Sequence, residues 1–223
     1  MAVSGKFLLL AALCFLPGVP ARPADLLDQW MASQTNLRTW SADIVQTRNF
    51  KTLAQPLVSN GRVWMAVPDR FRWELGQPAQ TIAIRRPADL TIIYPKLKRA
   101  EKYSLEPGQT GPWRDALAML EASFPRSRTN LEAQFQILAL TQSNGVASLE
   151  LQPRKAAARK FMARLEISFR ADDFSPLGTA LTFSDGSTLQ NEFSHVVLNP
   201  ALEAQLFEVK LEPGFSTVEP MKQ

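Results

Sequence analysis

The stretch that decides the fold is R-V-W-M-A-V-P-D-R-F-R-W-E-L, Arg62 to Leu75. It carries two of the chain's five tryptophans. Its second half alternates strictly, with Phe71, Trp73 and Leu75 on one face and Arg70, Arg72 and Glu74 on the other. Alternation of period two marks a half-buried β-strand. Val67-Pro68-Asp69 divides it from a shorter strand around Arg62–Ala66, and proline followed by aspartate is turn chemistry. The stretch therefore reads as a β-hairpin that turns Trp64, Phe71 and Trp73 towards an interior. Whether that interior is a filled core or a cavity is for the rest of the chain to decide.

Working outward, the same punctuation continues. Downstream, Gln80–Arg85 reads as a strand with Ile82 and Ile84 on one face, followed by Leu90–Tyr94 and Arg99–Leu105. Upstream, Trp40–Phe50 sets Ala42, Ile44 and Gln46 against Asp43 and Val45, and Lys51–Asn60 reads as a polar loop or a frayed edge. Turns every 8–12 residues or so predict an antiparallel meander closing into a sandwich or barrel. Two helical segments break it. Asp25 to Leu37 carries Leu26, Leu27, Trp30 and Met31 at helical spacing, and Trp113 to Ser123 carries Leu117, Met119 and Leu120, ended by Pro125. A further helical turn is expected near Thr129–Leu131. Strands resume at Phe135–Gln142 and Val146–Leu151, joined by Asn144-Gly145, a strong hairpin signal. Lys160–Arg170, then Leu177–Ser184 and Ser187–Leu198 joined by Asp185-Gly186, complete the long strands, and a last short one is expected at Leu206–Leu211.

The N-terminus reads as a secretory signal: Lys6, an apolar run from Phe7 to Leu16, then Pro17-Gly18-Val19-Pro20-Ala21. Cleavage is expected after residue 21, or as late as 24, leaving residues 22–223 as a single domain. The apolar run is too short to span a bilayer. The only cysteine, Cys14, lies inside it. A lipidated cysteine follows a small residue, whereas Leu13 is large and Phe15-Leu16 continue the run, so lipidation is disfavoured. The mature chain is then expected to lack cysteine and to be soluble in an oxidising compartment.

Chemistry is conspicuously thin. With 25 Lys and Arg against 21 Asp and Glu the chain is only mildly basic, at net +4, which is no nucleic-acid signature. One histidine, His195, cannot build a metal site without partners. There is no Gly-x-Ser-x-Gly elbow and no phosphate-cradling glycine loop. Asp172-Asp173 reads as a solvated turn. The basic groups in Arg154–Arg164 and Lys96–Lys102 read as solvated edges. No catalytic residue, cofactor or metal is expected, and the chain does not read as an enzyme.

The order of parts resembles the periplasmic outer-membrane lipoprotein carrier (LolA-like) family. The resemblance lies in Gly61–Glu74, in Gln77–Lys98 with T-I-A-I and L-T-I-I-Y-P-K-L-K, in F-S-D-G-S-T-L-Q-N-E-F at Phe183–Phe193, and in the ending from Asn199-Pro200 to Pro213-Gly214. It implies an α+β, mostly antiparallel fold: an unclosed half β-barrel whose N-terminal and inserted helices form a lid over an apolar cavity. On that resemblance the acyl-binding wall is assigned to Trp64, Phe71, Trp73, Ile82, Ile84 and Ile92, and the lid to Leu27, Trp30, Met31, Leu117 and Leu120. Such a protein is a monomeric periplasmic carrier. It takes acylated lipoproteins from an inner-membrane ABC-type release complex and gives them to an outer-membrane acceptor, with no nucleic acid involved. One departure stands out: where the family pattern has a gating arginine before the hairpin proline, this chain has Val67. That leaves two alternatives, a paralogue carrying another lipid or acylated molecule, and a lipid-anchored outer-membrane acceptor (LolB-like), which requires Cys14 to be lipidated. A sensor restraining an envelope-stress regulator would carry a second domain, and an enzyme acting on lipids through His195 is the remotest reading.

Overall fold

The computed structural model describes residues 23–105, 125 and 127–219, with side chains from Leu26 onward. The signal segment and the helix expected at Trp113–Ser123 lie outside these residues. Helix α1 (Pro23–Asn36) opens the described chain. Strands β1 (Thr39–Asn49), β2 (Leu57–Ala66), β3 (Arg70–Leu75), β4 (Thr81–Arg85), β5 (Asp89–Tyr94) and β6 (Arg99–Ser104) form the first meander. Helix α2 (Arg128–Gln134) leads into β7 (Phe135–Ser143) and β8 (Val146–Pro153). Helix α3 (Ala156–Phe161) then precedes β9 (Met162–Arg170), β10 (Pro176–Phe183), β11 (Thr188–Leu198) and the short β12 (Ser216–Val218).

All twelve strands belong to one sheet, in the order β12-β6-β5-β4-β3-β2-β1-β11-β10-β9-β8-β7. Every pairing is antiparallel except β12 with β6. Among the described residues no ladder joins β12 to β7, so the sheet is unclosed and the closed sandwich or barrel drawn from turn spacing is corrected. The tight turns behave as their residues require. At Asn144-Gly145 both residues have positive φ (51° and 77°), the geometry whose twist matches a two-residue hairpin. Of two other expectations, one holds in part and one fails. Lys51–Asn60 is only partly loop, because β2 begins at Leu57 and its outer half pairs with the end of β1. Leu206–Leu211 is no strand: Ala204–Phe207 is a 3-10 turn, and the edge strand comes later, at β12.

Cross-strand partners share a face of a sheet, so the register sorts the side chains. The inner face carries Trp40, Ala42 and Ile44 of β1, Val63 and Met65 of β2, Phe71, Trp73 and Leu75 of β3, and Phe193 of β11. The sheet curls over this face: Trp73 and Phe193 stand three strands apart, yet their rings meet edge to face at 6.2 Å, where a flat sheet would separate their backbones by about 14 Å. The inner face of β7–β10 holds a second cluster, built on Leu149, Leu151, Leu165, Ile167 and Phe169. Helix α1 seals it, with Leu27, Trp30 and Met31 buried there and Trp30 stacked on Phe169 at 4.8 Å and 6°. No described helix is long and apolar enough to cross a membrane.

Candidate functional site

Of the six residues assigned to one apolar wall, three come together on the inner face. Phe71, Trp73 and Ile92 join the cluster of Trp40, Ile44, Val63 and Phe193. Phe71 is buried, while Trp73 and Ile92 are half-buried. Trp64, Ile82 and Ile84 lie on the opposite face, which corrects their assignment to that wall. The cause is register. A three-residue link, Val67 to Asp69, pairs Ala66 with Arg70, so Met65 meets Phe71 and Trp64 meets Arg72. A five-residue link pairs Leu75 with Thr81, so Trp73 meets Ala83 while Ile82 and Ile84 meet Glu74 and Arg72. On the outer face, Arg62 lies over the Trp64 ring at 5.2 Å. Ile82, Ile84 and Ile93 floor a cleft of about 330 Å³ beneath the C-terminal segment, against Phe215, with Val209 and Leu211 packed on the same cluster.

The residues assigned to the lid divide. Leu27, Trp30 and Met31 of α1 are buried against β7–β10, and Leu117 and Leu120 lie outside the described residues. Val67 is half-buried at the hairpin tip and its N–H donates to the Arg38 carbonyl at 2.8 Å. The arginine that reaches this turn is Arg85 of β4, buried between its cross-strand partners Phe71 and Leu90. Its Nη1 donates to the Pro68 carbonyl at 3.4 Å. The Ile82–Ile84 alternation drew attention to the wrong face of β4 and hid Arg85, whose odd number places it with Ala83.

Polar groups also occupy the inner face, at the end opposite the Val67 turn. Arg48 Nε donates to Gln46 Oε1 at 2.7 Å, Gln46 Nε2 to Asn191 Oδ1 at 2.9 Å, and Asn191 Nδ2 to Thr179 Oγ1 at 3.0 Å. Across the curl, Tyr94 and Arg99 stand at this same end, and Glu101, level with Trp73, accepts at 2.8 Å both from Arg99 Nη2 and from the hydroxyl of Tyr103, which stands level with Phe71 towards the Val67 turn. Burial, then the bond to Glu101, pushes the Tyr103 hydroxyl far above its ordinary pKa. Burial and the Glu101 charge raise that of Tyr94, against the opposing positive charges of Arg99 and Arg48. His195 is highly exposed on the outer face, its Nδ1 3.0 Å from Asp43 Oδ2. Among the described residues no cluster of side chains could hold a metal ion.

The family model for the outer membrane lipoprotein carrier protein LolA matches residues 35–210. The chain belongs to this LolA family. An outer-membrane lipoprotein carrier protein of Dechloromonas aromatica is 24% identical over 210 residues, covering 94% of this chain and 95% of the relative. One of Coxiella burnetii is 25% identical over 207 residues, covering 91% of each. An uncharacterised conserved protein from Thermus thermophilus shares the fold at 11% identity, with a TM-score of 0.51, over 88% of this chain and 98% of that one. The LolA-family match spans the strands of both inner-face clusters, the polar row and the Val67 turn.

Proposed function

We propose that this LolA-family protein is a periplasmic carrier of acylated lipoproteins. It acts by binding, without catalysis. After removal of residues 1–21 as a signal peptide, residues 22–223 work as one domain. Acyl chains lie against Phe71, Trp73 and Ile92 on the inner face, and the segment bearing Leu117 and Leu120 shields them from water, while α1 holds the β7–β10 half closed. The carrier takes its cargo from an inner-membrane ABC-type release complex and passes it to an outer-membrane acceptor.

The observation that carries this reading is an apolar aromatic wall on a sheet that does not close. An acyl chain in water costs about 0.8 kcal/mol per methylene, so a soluble carrier must cover it. Trp73 and Ile92 keep part of their surface open while their neighbours Trp40, Ile44 and Val63 are buried. A wall of this kind can exchange one apolar cover for another. Hand-over requires that the protein's own cover and the cargo compete closely, since only differential affinity shifts such an equilibrium. Arg85, at the turn where the family pattern puts an arginine in place of Val67, supplies a cation there from a different strand.

The test is site-specific photo-crosslinking in the native periplasm. A crosslinker at Trp73 should capture an acylated protein, and crosslinkers at Arg72 and Trp64, on the other face, should not. Equal capture from both faces, or none at Trp73, would sink the carrier reading.

A further inference from the structure

The carrier reading accounts for the apolar wall and leaves the polar row beside it unexplained. Gln46 and Asn191 are buried, 6% and 8% exposed. They stand two residues along their strands from Ile44 and Phe193, where the two apolar clusters meet. Burying two carboxamides on an apolar face costs free energy unless they are bonded. The bonds they make leave a particular remainder.

A guanidinium can only donate. Arg48 therefore fixes the oxygen of Gln46 towards itself and its amide nitrogen towards Asn191. The Asn191 oxygen must then accept, which turns its own nitrogen to Thr179. Each carboxamide oxygen is engaged, while each amide keeps a second N–H. Among the described residues the Arg48 side chain makes no bond but the one from Nε, and the Thr179 hydroxyl none but the one it accepts. The Tyr94 hydroxyl across the curl is likewise a donor without an acceptor among these residues. The row has spare donors and few spare acceptors. A ligand group that fits it brings carbonyl oxygens.

We propose, resting on the carrier reading, that Arg48, Gln46, Asn191 and Thr179 seat the ester carbonyls of a diacylglyceryl head whose acyl chains run along the aromatic wall. The geometry gives the head a fixed place: chains leaving the row towards Ile44 and Phe193 enter the Trp73 cluster directly. The row then reads the one polar feature that every diacylglyceryl cargo shares, whatever protein follows it, and the site stays indifferent to the cargo's sequence.

The experiment uses the mature chain and two soluble probes, a short-chain diacylglyceryl-cysteinyl peptide and its dialkyl-ether counterpart, which lacks only the ester carbonyls. Titration calorimetry should give the wild type a preference of about ten-fold for the ester, in keeping with hydrogen bonds to a charged donor. Arg48→Met should lower ester binding about ten-fold, to the level of the ether. Q46L/N191L, which replaces both carboxamides by apolar groups of similar shape, should do the same without loss of the folded state. Equal binding of ester and ether by the wild type overturns the assignment, as does a preference that survives in both variants. A third probe, dioctanoyl phosphatidylglycerol, carries the same esters on a phosphate. If Arg48→Met weakens the phospholipid alone, Arg48 reads phosphate and the assignment is wrong. Equal weakening of lipopeptide and phospholipid supports it. If the wild type binds neither lipopeptide nor ether, the carrier reading itself has failed.

Discussion

The two apolar clusters share one face of one sheet and are finished in different ways. On β7–β10 the wall is aliphatic, and Ala147, Leu149 and Leu151 are completely buried beneath α1. Trp30 lies flat on Phe169, so helix and sheet meet over the full area of two rings. On β1–β6 the wall is aromatic. Trp40, Trp73 and Phe193 meet edge to face, and Trp73, Ala83 and Ile92 keep part of their surface open. The first is a close-packed core, which tolerates neither void nor insertion. The second is a surface that can change its cover. The row from Arg48 to Thr179 marks the border between them, so one open sheet can hold a fixed anchor and a yielding wall side by side.

The sharpest way to break this contrast is to truncate the anchor. Trp30→Ala should cost about 3–5 kcal/mol, the usual penalty for emptying a large aromatic site in a core. Urea unfolding would measure it. Binding of an acylated peptide to the folded fraction should be unchanged. A specific loss of binding would show that α1 belongs to the ligand site as well as to the core.

A smaller effect is expected at Gly61, where β2 and β3 approach across the ladder. A methyl group there would stand 1.9 Å from the Glu74 carbonyl oxygen, so the backbone must part. Gly61→Ala should destabilise by about 1–3 kcal/mol. Because this pairing aligns Val63 with Trp73, it should also weaken ligand binding, the combination that separates the aromatic half from the anchor.

Trp73→Ala addresses the wall itself. A half-buried ring contributes less to stability than Trp30 does, so unfolding should shift less. Acyl binding should fall about ten-fold or more, the equivalent of losing most of one aromatic contact. Trp64→Ala removes the same side chain from the other face and should leave binding unaltered. Equal losses in the two variants would contradict the face assignment.

That assignment also measures how far the sequence could be read. The alternation of β3 and the Asn144-Gly145 turn are local signals, and both were legible. So was the inner face of β1, since Ala42, Ile44 and Gln46 alternate against Asp43 and Val45. The error at Trp64 was local too: three residues between Ala66 and Arg70 settle which residues face each other, and a shared aromatic character concealed it. The polar row is of another kind. Gln46 and Asn191 lie 145 residues apart and meet only because β1 pairs with β11. Nothing within either strand announces that neighbour, and each amide alone reads as an interruption of an apolar alternation. The C-terminal segment was misread for a similar reason. Val209 and Leu211 look like strand residues, but they are apolar because they cover Ile84 and Ile93 from outside.

The smallest expected effect concerns how dry the aromatic half is along its outer strands, with Tyr94 at the polar end and Tyr103 level with Phe71 towards the Val67 turn. Tyr94 and Tyr103 are the chain's only tyrosines, and burial raises the pKa of both. Folding therefore favours their neutral forms. The stability this contributes is complete below the ordinary tyrosine range, near pH 10, and is lost as the pH climbs through the raised folded values. In the native protein, tyrosinate absorbance should be weak about one pH unit above that range, and adding urea at the same pH should release it from both residues. Tyr103→Phe should flatten the alkaline loss of stability without changing stability near neutrality by more than one hydrogen bond, about 0.5–1.5 kcal/mol. A native Tyr94 that ionises at its ordinary pH would mean that water reaches the polar end freely. The polar row would then face solvent, and the contrast between the two halves of the inner face would be one of packing alone.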